Sequence, residues 1–197
     1  RGGGEFVGDY ASPFARMVVA ELEGVPEEDH PHFAEKLEEM SKQTSHKPLE
    51  FLYEQFSEYI EDRRRNPRQD IMTEMATATF PDGSTPSVHD VALLAANMFT
   101  GGQETTVRMI AFAVRRLAED PVLQAQLRAD RALIPNFIEE VLRYESPLRA
   151  QFRMAKITTE VAGVHVPAGS SLLLLPGAAN RDPKFYERPD EFDITRP

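Results

Sequence analysis

The stretch "SVHDVALLAANMFTGGQETTVRMIAFAVRRLAED", Ser87 to Asp120, decides how the rest of the chain is read. Ser87 and Asp90 have the spacing of a capping box, which opens a helix at Val88. No proline interrupts the pattern from there to about Glu119. At about 1.5 Å per residue such a helix crosses most of a domain. Its centre breaks a rule: Gly101 and Gly102 stand together, each costing about 1 kcal/mol relative to alanine inside a helix. Two missing side chains at one spot let another backbone or a flat ligand approach closely. Glu104 and Thr105 follow at once, an acid beside an alcohol. Thr105 can bond back to a preceding carbonyl and loosen the helix locally. The set suits either proton delivery to something bound in the notch or a plain helix crossing with polar surface residues around it.

Outward from this helix, residues 1–147 read as helical and 148–197 as a β hairpin with a turn-rich segment. Ser12-Pro13 reads as a cap with Pro at the first helical position. Phe14, Met17, Val18 and Leu22 form its apolar face, and Gly24 ends it. Phe33, Leu37 and Met40 make a second stripe. Leu49, Leu52, Phe56, Tyr59 and Ile60 make a third, stopped at Asn66-Pro67. A short piece from Ile71 to Met75 precedes the turn "PDGSTP". Asp120-Pro121 opens a further helix, and Leu133 to Tyr144 reads as another. After Pro147, "FRMAKIT", "EVAGVHVPAGS" and "SLLLLP" read as short strands with a hairpin near Gly163. The expected fold class is mainly α with a small β part.

Composition narrows the function. The chain has 197 residues, 41% hydrophobic and 27% charged, enough for one ordinary core or two small ones. It has no apolar run of membrane-spanning length, and "RGGGEFVGDY" lacks the apolar segment of a signal peptide, so a cytoplasmic protein is expected. A net charge of -10 without a basic stripe argues against nucleic acid as a partner. The basic run Arg63 to Arg68 reads as a helix end facing water. There is no cysteine, which removes disulfides, cysteine nucleophiles, cysteine-ligated zinc and thiolate ligation of haem iron by this chain. The histidines (His30, His32, His46, His89 and His165) show no ligand spacing. No nucleophile elbow, phosphate loop or dinucleotide fingerprint is present.

Three further features carry possible chemistry. Glu140 and Arg143 lie three apart on one helical face, a spacing also common on solvated helices. Leu148 to Gln151 form an extended linker into the first strand. Arg153 opens that strand and can hold a carboxylate or simply face solvent. In "GAANRDPKFYERPDEFDITRP", Gly177 to Pro197, Asp182 can cap a helical turn begun by Pro183.

In this order, the Gly-Gly-x-Glu-Thr helix, the Glu-x-x-Arg helix, the Arg-led strand, the hairpin and "ANRDP…F…PDEFD…R" resemble bacterial cytochrome P-450 monooxygenases, soluble haem-thiolate enzymes. "DYASPFARMVVAELEGVPEED" is also similar to that family. The resemblance implies roles. Gly101, Gly102, Glu104 and Thr105 match the central-helix motif beside the haem, where acid and alcohol help deliver protons to dioxygen. Glu140, Arg143 and Arg196 match a network that locks the core behind the haem and is structural more than catalytic. Arg153 matches an arginine paired with a haem propionate. Asn97, Thr100, Leu148, Ala150 and Gln151 match positions lining the substrate pocket.

The family's axial ligand is a cysteine in a glycine-rich loop following the position of "FDITR"; this sequence ends at Pro197. The resemblance therefore implies an incomplete cytochrome P-450 fold, the middle half of a family member, with no metal ligand of its own. The whole protein is expected to hold haem b and to oxidise a small, mostly apolar molecule with O2 and two electrons from a ferredoxin-type donor. The chain alone is expected to be inactive, to hold haem poorly and to self-associate through apolar surface. The alternative is a haem-less relative acting as a binding or scaffold partner. A generic helical domain with coincidental motifs is disfavoured by their order.

Overall fold

The structure, a computed structural model, describes residues 3–41 and 47–196. His46 and the side chains of Met40 and Leu49 lie outside the described residues. The chain divides into two compact units, Arg1–Val107 and Arg108–Pro197. The border falls inside one helix, α5. The protein is mostly helical with a small sheet part.

The first unit holds α1 (Ser12–Glu23), α2 (His30–Ser41), α3 (Lys47–Arg65), α4 (Ile71–Thr77) and the start of α5 (Val88–Glu119). The capping box at α5 is reciprocal: the Ser87 hydroxyl donates to the Asp90 carboxylate at 2.6 Å and accepts from the Asp90 N–H at 3.0 Å. Gly24 ends α1 with φ 78, and its N–H and that of Val25 donate to the Glu21 and Ala20 carbonyls, so two orphan carbonyls are satisfied. Asp70 caps α4, accepting from the Thr73 N–H at 2.7 Å.

Three expectations fail here. Ser12 is not a cap: a π-helical turn, Val7–Ala11, leads straight into α1, and Ser12 is itself helical, its N–H bonded to the Val7 carbonyl. The wider π turn accommodates Pro13, whose ring would crowd an ordinary preceding turn. Phe14, Met17 and Leu22 are exposed, and α1 buries Ala15, Ala20 and Glu23 instead. Finally, the basic run does not simply face water. Arg63 is 1% exposed; its Nε donates to Asp70 at 2.7 Å and its Nη2 to the Gly24 carbonyl at 2.7 Å. Arg64 donates to the carbonyls of Ala76 and Pro86. Buried main-chain acceptors without other donors draw these cations inward.

The core of this unit sets Phe33, Leu52, Phe56, Ile60, Met72 and Phe99 against an alanine face of α5, Ala92, Ala95 and Ala96. The rings of Phe33, Phe56 and Phe99 meet pairwise, with centroids 6.0, 5.6 and 5.7 Å apart.

The second unit holds the rest of α5, α6 (Pro121–Ala129), α7 (Ile134–Glu145), strands β1 (Gln151–Met154), β2 (Thr159–Val161), β3 (Val164–Val166) and β4 (Ser171–Leu174), and the short α8 (Pro176–Ala179). Its core joins Ala113, Leu123, Leu127, Phe137, Val141 and Ile194. β2 and β3 pair antiparallel around Ala162 and Gly163, both at positive φ (50 and 83), the geometry of a tight hairpin turn. β1 and β4 pair outside them, Gln151 opposite Leu174 and Met154 opposite Ser171. Asp182 caps no helix; its carboxylate accepts from the Lys184 N–H at 2.9 Å and holds a turn. Among the described residues, no helix is long and apolar enough to cross a membrane.

Glu23 is 2% exposed, and neither carboxylate oxygen has a hydrogen-bond partner among the described residues. Burial pushes its pKa up from 4.5 to about 8. The folded protein keeps this proton in a range where the unfolded chain has released it, so its contribution to stability falls as pH rises from about 4.5 to about 8. Urea unfolding across that range is expected to show this loss in the wild type and a flatter profile in Glu23→Gln. Equal slopes in both proteins would refute the assignment.

Candidate functional site

The glycine pair in α5 divides into two different surfaces. A Cβ built on Gly102 would stand 2.8 Å from Val19 Cγ2, so Gly102 is where α1 packs against α5. A Cβ built on Gly101 meets nothing within 4 Å. The helix-crossing reading of the notch thus applies at Gly102, and Gly101 faces open space. One turn further, the Thr105 hydroxyl donates to the Gly101 carbonyl at 2.8 Å, the back-bond that the residue type permits inside a helix. Glu104 is exposed beside it. Towards the helix start, the Thr100 hydroxyl donates to the carbonyls of Ala96 and Asn97, and the Asn97 side chain is exposed.

In the second unit the structure brings Glu140, Arg143 and Arg196 together. Glu140 is 4% exposed. Its Oε2 accepts from Arg143 Nε at 2.6 Å. Its Oε1 accepts from Arg143 Nη2 at 2.7 Å, from the Asp193 N–H at 2.7 Å and from Arg196 Nε at 3.2 Å. Burial alone would raise the Glu140 pKa, but the bonds from Arg143, the Asp193 N–H and Arg196 together hold it below the usual carboxylate range. Arg143 spends its other N–H groups on the carbonyls of Asn180, Pro189 and Glu191. Arg196 donates to those of Glu187, Arg188 and Glu191.

Other members of this cluster gave little signal in the sequence. The Arg116 guanidinium lies over the Phe192 ring, 4.4 Å from its centroid. Arg181 lies 4.2 Å from the Tyr144 ring centroid and donates to Asp190 and to the Tyr144 carbonyl. A guanidinium stacked on a ring leaves no mark in spacing or periodicity. The available signal was aromatic content in "KFYERPDEFD", which needs cover in an otherwise polar segment.

Arg153 is exposed, third in β1 rather than first, and donates to the Phe152 carbonyl and to Gln151 Oε1, both at 2.9 Å. Leu148 and Ala150 are exposed and Gln151 is half-buried. A flat cofactor can reach the backbone of α5 at Gly101 and is blocked at Gly102. These residues do not supply an axial thiolate, since the sequence has no cysteine. No group of three His, Asp or Glu among the described residues is placed to hold a metal ion.

Comparison with known proteins converges on one family. The model of the family described as cytochrome P450 matches residues 25–197. Cytochrome P450 109 of Bacillus spizizenii is 34% identical over 98% of this chain and 51% of its own length. The biotin biosynthesis cytochrome P450 of Bacillus subtilis is 35% identical over the same two shares, 98% and 51%. The substrate-free structure of cytochrome P450 CYP150A6 from Mycobacterium marinum matches with a TM-score of 0.86 at 49% identity, over 98% of this chain and 46% of that one. The chain thus spans about half the length of the curated relatives it matches.

The two glycines are expected to respond to alanine with opposite signs. Gly102→Ala forces Val19 or α1 to move and lowers stability by about 1–3 kcal/mol. Gly101→Ala enters open space and raises stability by up to about 1 kcal/mol through helix propensity. Chemical unfolding of both variants measures this, and equal shifts of one sign would remove the distinction.

Proposed function

The chain belongs to the cytochrome P450 family, and on that premise we propose that the whole protein is a haem-dependent monooxygenase acting on a small, mostly apolar organic molecule. Its electrons come, in this proposal, from a ferredoxin-type donor. The reading rests on one arrangement: the Thr105 hydroxyl bonded to the Gly101 carbonyl beside backbone that a flat ring can approach.

Such a reaction places one atom of O2 in a substrate C–H bond and releases the other as water, with uptake of two electrons and two protons. Haem, when bound, supplies oxygen activation. The chain's own residues supply proton handling and shape. Glu104, exposed one residue before Thr105, is the acid this proposal assigns to the proton path. Thr105, held by its bond to Gly101, passes a proton onward through its hydroxyl, which donates and accepts at once. Gly101 keeps the α5 backbone clear of side-chain bulk. Asn97 and Thr100 on α5, Leu148 and Ala150 before β1, and Gln151 at its first position are the residues this proposal assigns to substrate contact. The N–H groups of Arg153 not engaged with Phe152 and Gln151 pair with a haem propionate. Glu140, Arg143 and Arg196 hold the closing segment in place and do not touch substrate.

In the haem-loaded whole protein, Thr105→Ala is expected to form product at roughly a hundredth of the wild-type rate, while Thr105→Ser retains most of it. Product formation with a surrogate apolar substrate measures this; an unimpaired Thr105→Ala would remove Thr105 from the proton path. The 197-residue chain, which has no cysteine, is expected to give no haem-thiolate band in a reduced, CO-bound difference spectrum after mixing with haem. A normal band would show that this chain needs no thiolate of its own kind.

A further inference from the structure

In the second unit, the end of α5, α6, the 3-10 turn Arg131–Leu133 and α7 enclose an apolar groove that the proposed oxidation does not use. Its volume is about 550 Å³, and Leu117, Leu127, Ile134, Phe137 and Ile138 form its walls. A volume between about 300 and 1,000 Å³ suits a small molecule. Two cations, Arg128 and Arg131, also line it, and both are exposed. Among the described residues neither guanidinium has a hydrogen-bond or ion-pair partner. Two nearby acids hold turns: Asp130 accepts from the Ala132 N–H at 2.9 Å and Asp120 from the Leu123 N–H at 2.9 Å, and Glu139 is exposed beside Ile138. Two guanidinium groups without a partner among the described residues thus stand at the edge of an apolar cleft, in a chain of net charge -10.

We infer that this groove binds a single-chain carboxylate amphiphile of the fatty-acid type, its tail against Leu117, Phe137 and Ile138 and its carboxylate between Arg128 and Arg131. The guanidinium fork matches a carboxylate. A neutral apolar ligand would leave that edge unused, and a cationic one would be repelled. This site is independent of the haem reading, so either can fail alone.

Isothermal titration calorimetry of the 197-residue chain tests it, with dodecanoate held below its micelle-forming concentration. Dodecanoate is expected to bind about tenfold tighter than decanoate, as burial of two methylenes requires, and about tenfold tighter than dodecanol. The Arg128→Gln/Arg131→Gln double variant is expected to abolish the preference for the acid over the alcohol. Ile134 is 41% exposed, so Ile134→Glu leaves the core intact; it is expected to abolish binding with an unchanged circular dichroism spectrum. No dodecanoate binding, dodecanol binding as tightly as the acid, or undiminished binding in either variant would overturn the proposal.

Discussion

The second unit depends on one buried charge. Glu140 carries a full carboxylate with almost no contact with water, a costly state unless its lone pairs are met. Two arginines and a main-chain N–H meet them. The same arginines then use their remaining N–H groups on carbonyls of the segment after α8. That segment has no regular hydrogen-bond ladder, so side chains do the work that a helix or sheet does elsewhere. The closing segment is ordered because a charge needed partners, and the charge is tolerated because the segment supplies one and positions Arg196 to supply another.

The first unit solves a related problem with the sign reversed. Arg63 is buried and reaches a carbonyl at the end of α1, the cap of α4 and Asp62 on its own helix. A single guanidinium thus ties α1, α3 and α4 together, with geometry that a lysine lacks. Glu23, one residue from the carbonyl that Arg63 holds, has no such partner and keeps its proton instead.

Local chemistry was legible in the sequence because it depends on neighbours in the chain. The capping box at Ser87, the caps at Asp120 and Gly24, and the hairpin at Gly163 each follow from residues a few positions apart. Features set by distant partners were not. Arg63 looked like a solvated helix end because Gly24 and Asp70 become its partners only after folding. Apolar periodicity pointed to the wrong face of α1, because it marks large hydrophobic residues while the helix buries Ala15, Ala20 and Glu23. Gly101 and Gly102 look identical in sequence, and only the position of Val19 tells them apart. Glu140 and Arg143 were visible as a pair, and the family resemblance added Arg196, but the carbonyls of Asn180, Pro189 and Glu191 that Arg143 also holds left no mark in the sequence.

Arg149 to Gly177 fold back on themselves as one nested hairpin. The bonds run outward from the Ala162–Gly163 turn through the pairing of β2 with β3, the Ala168 N–H on the Thr158 hydroxyl, Ala155 with Gly169 and Ser170, and β1 with β4, ending where the Gly177 N–H meets the Arg149 carbonyl. Each rung brings the next pair of residues close before they bond. The entropy of closing a loop is therefore met in small instalments rather than across the whole span at once. Nesting of this kind keeps every closure short when the segment zips from its tip, so the pairing of β1 with β4 costs least once β2 and β3 have met.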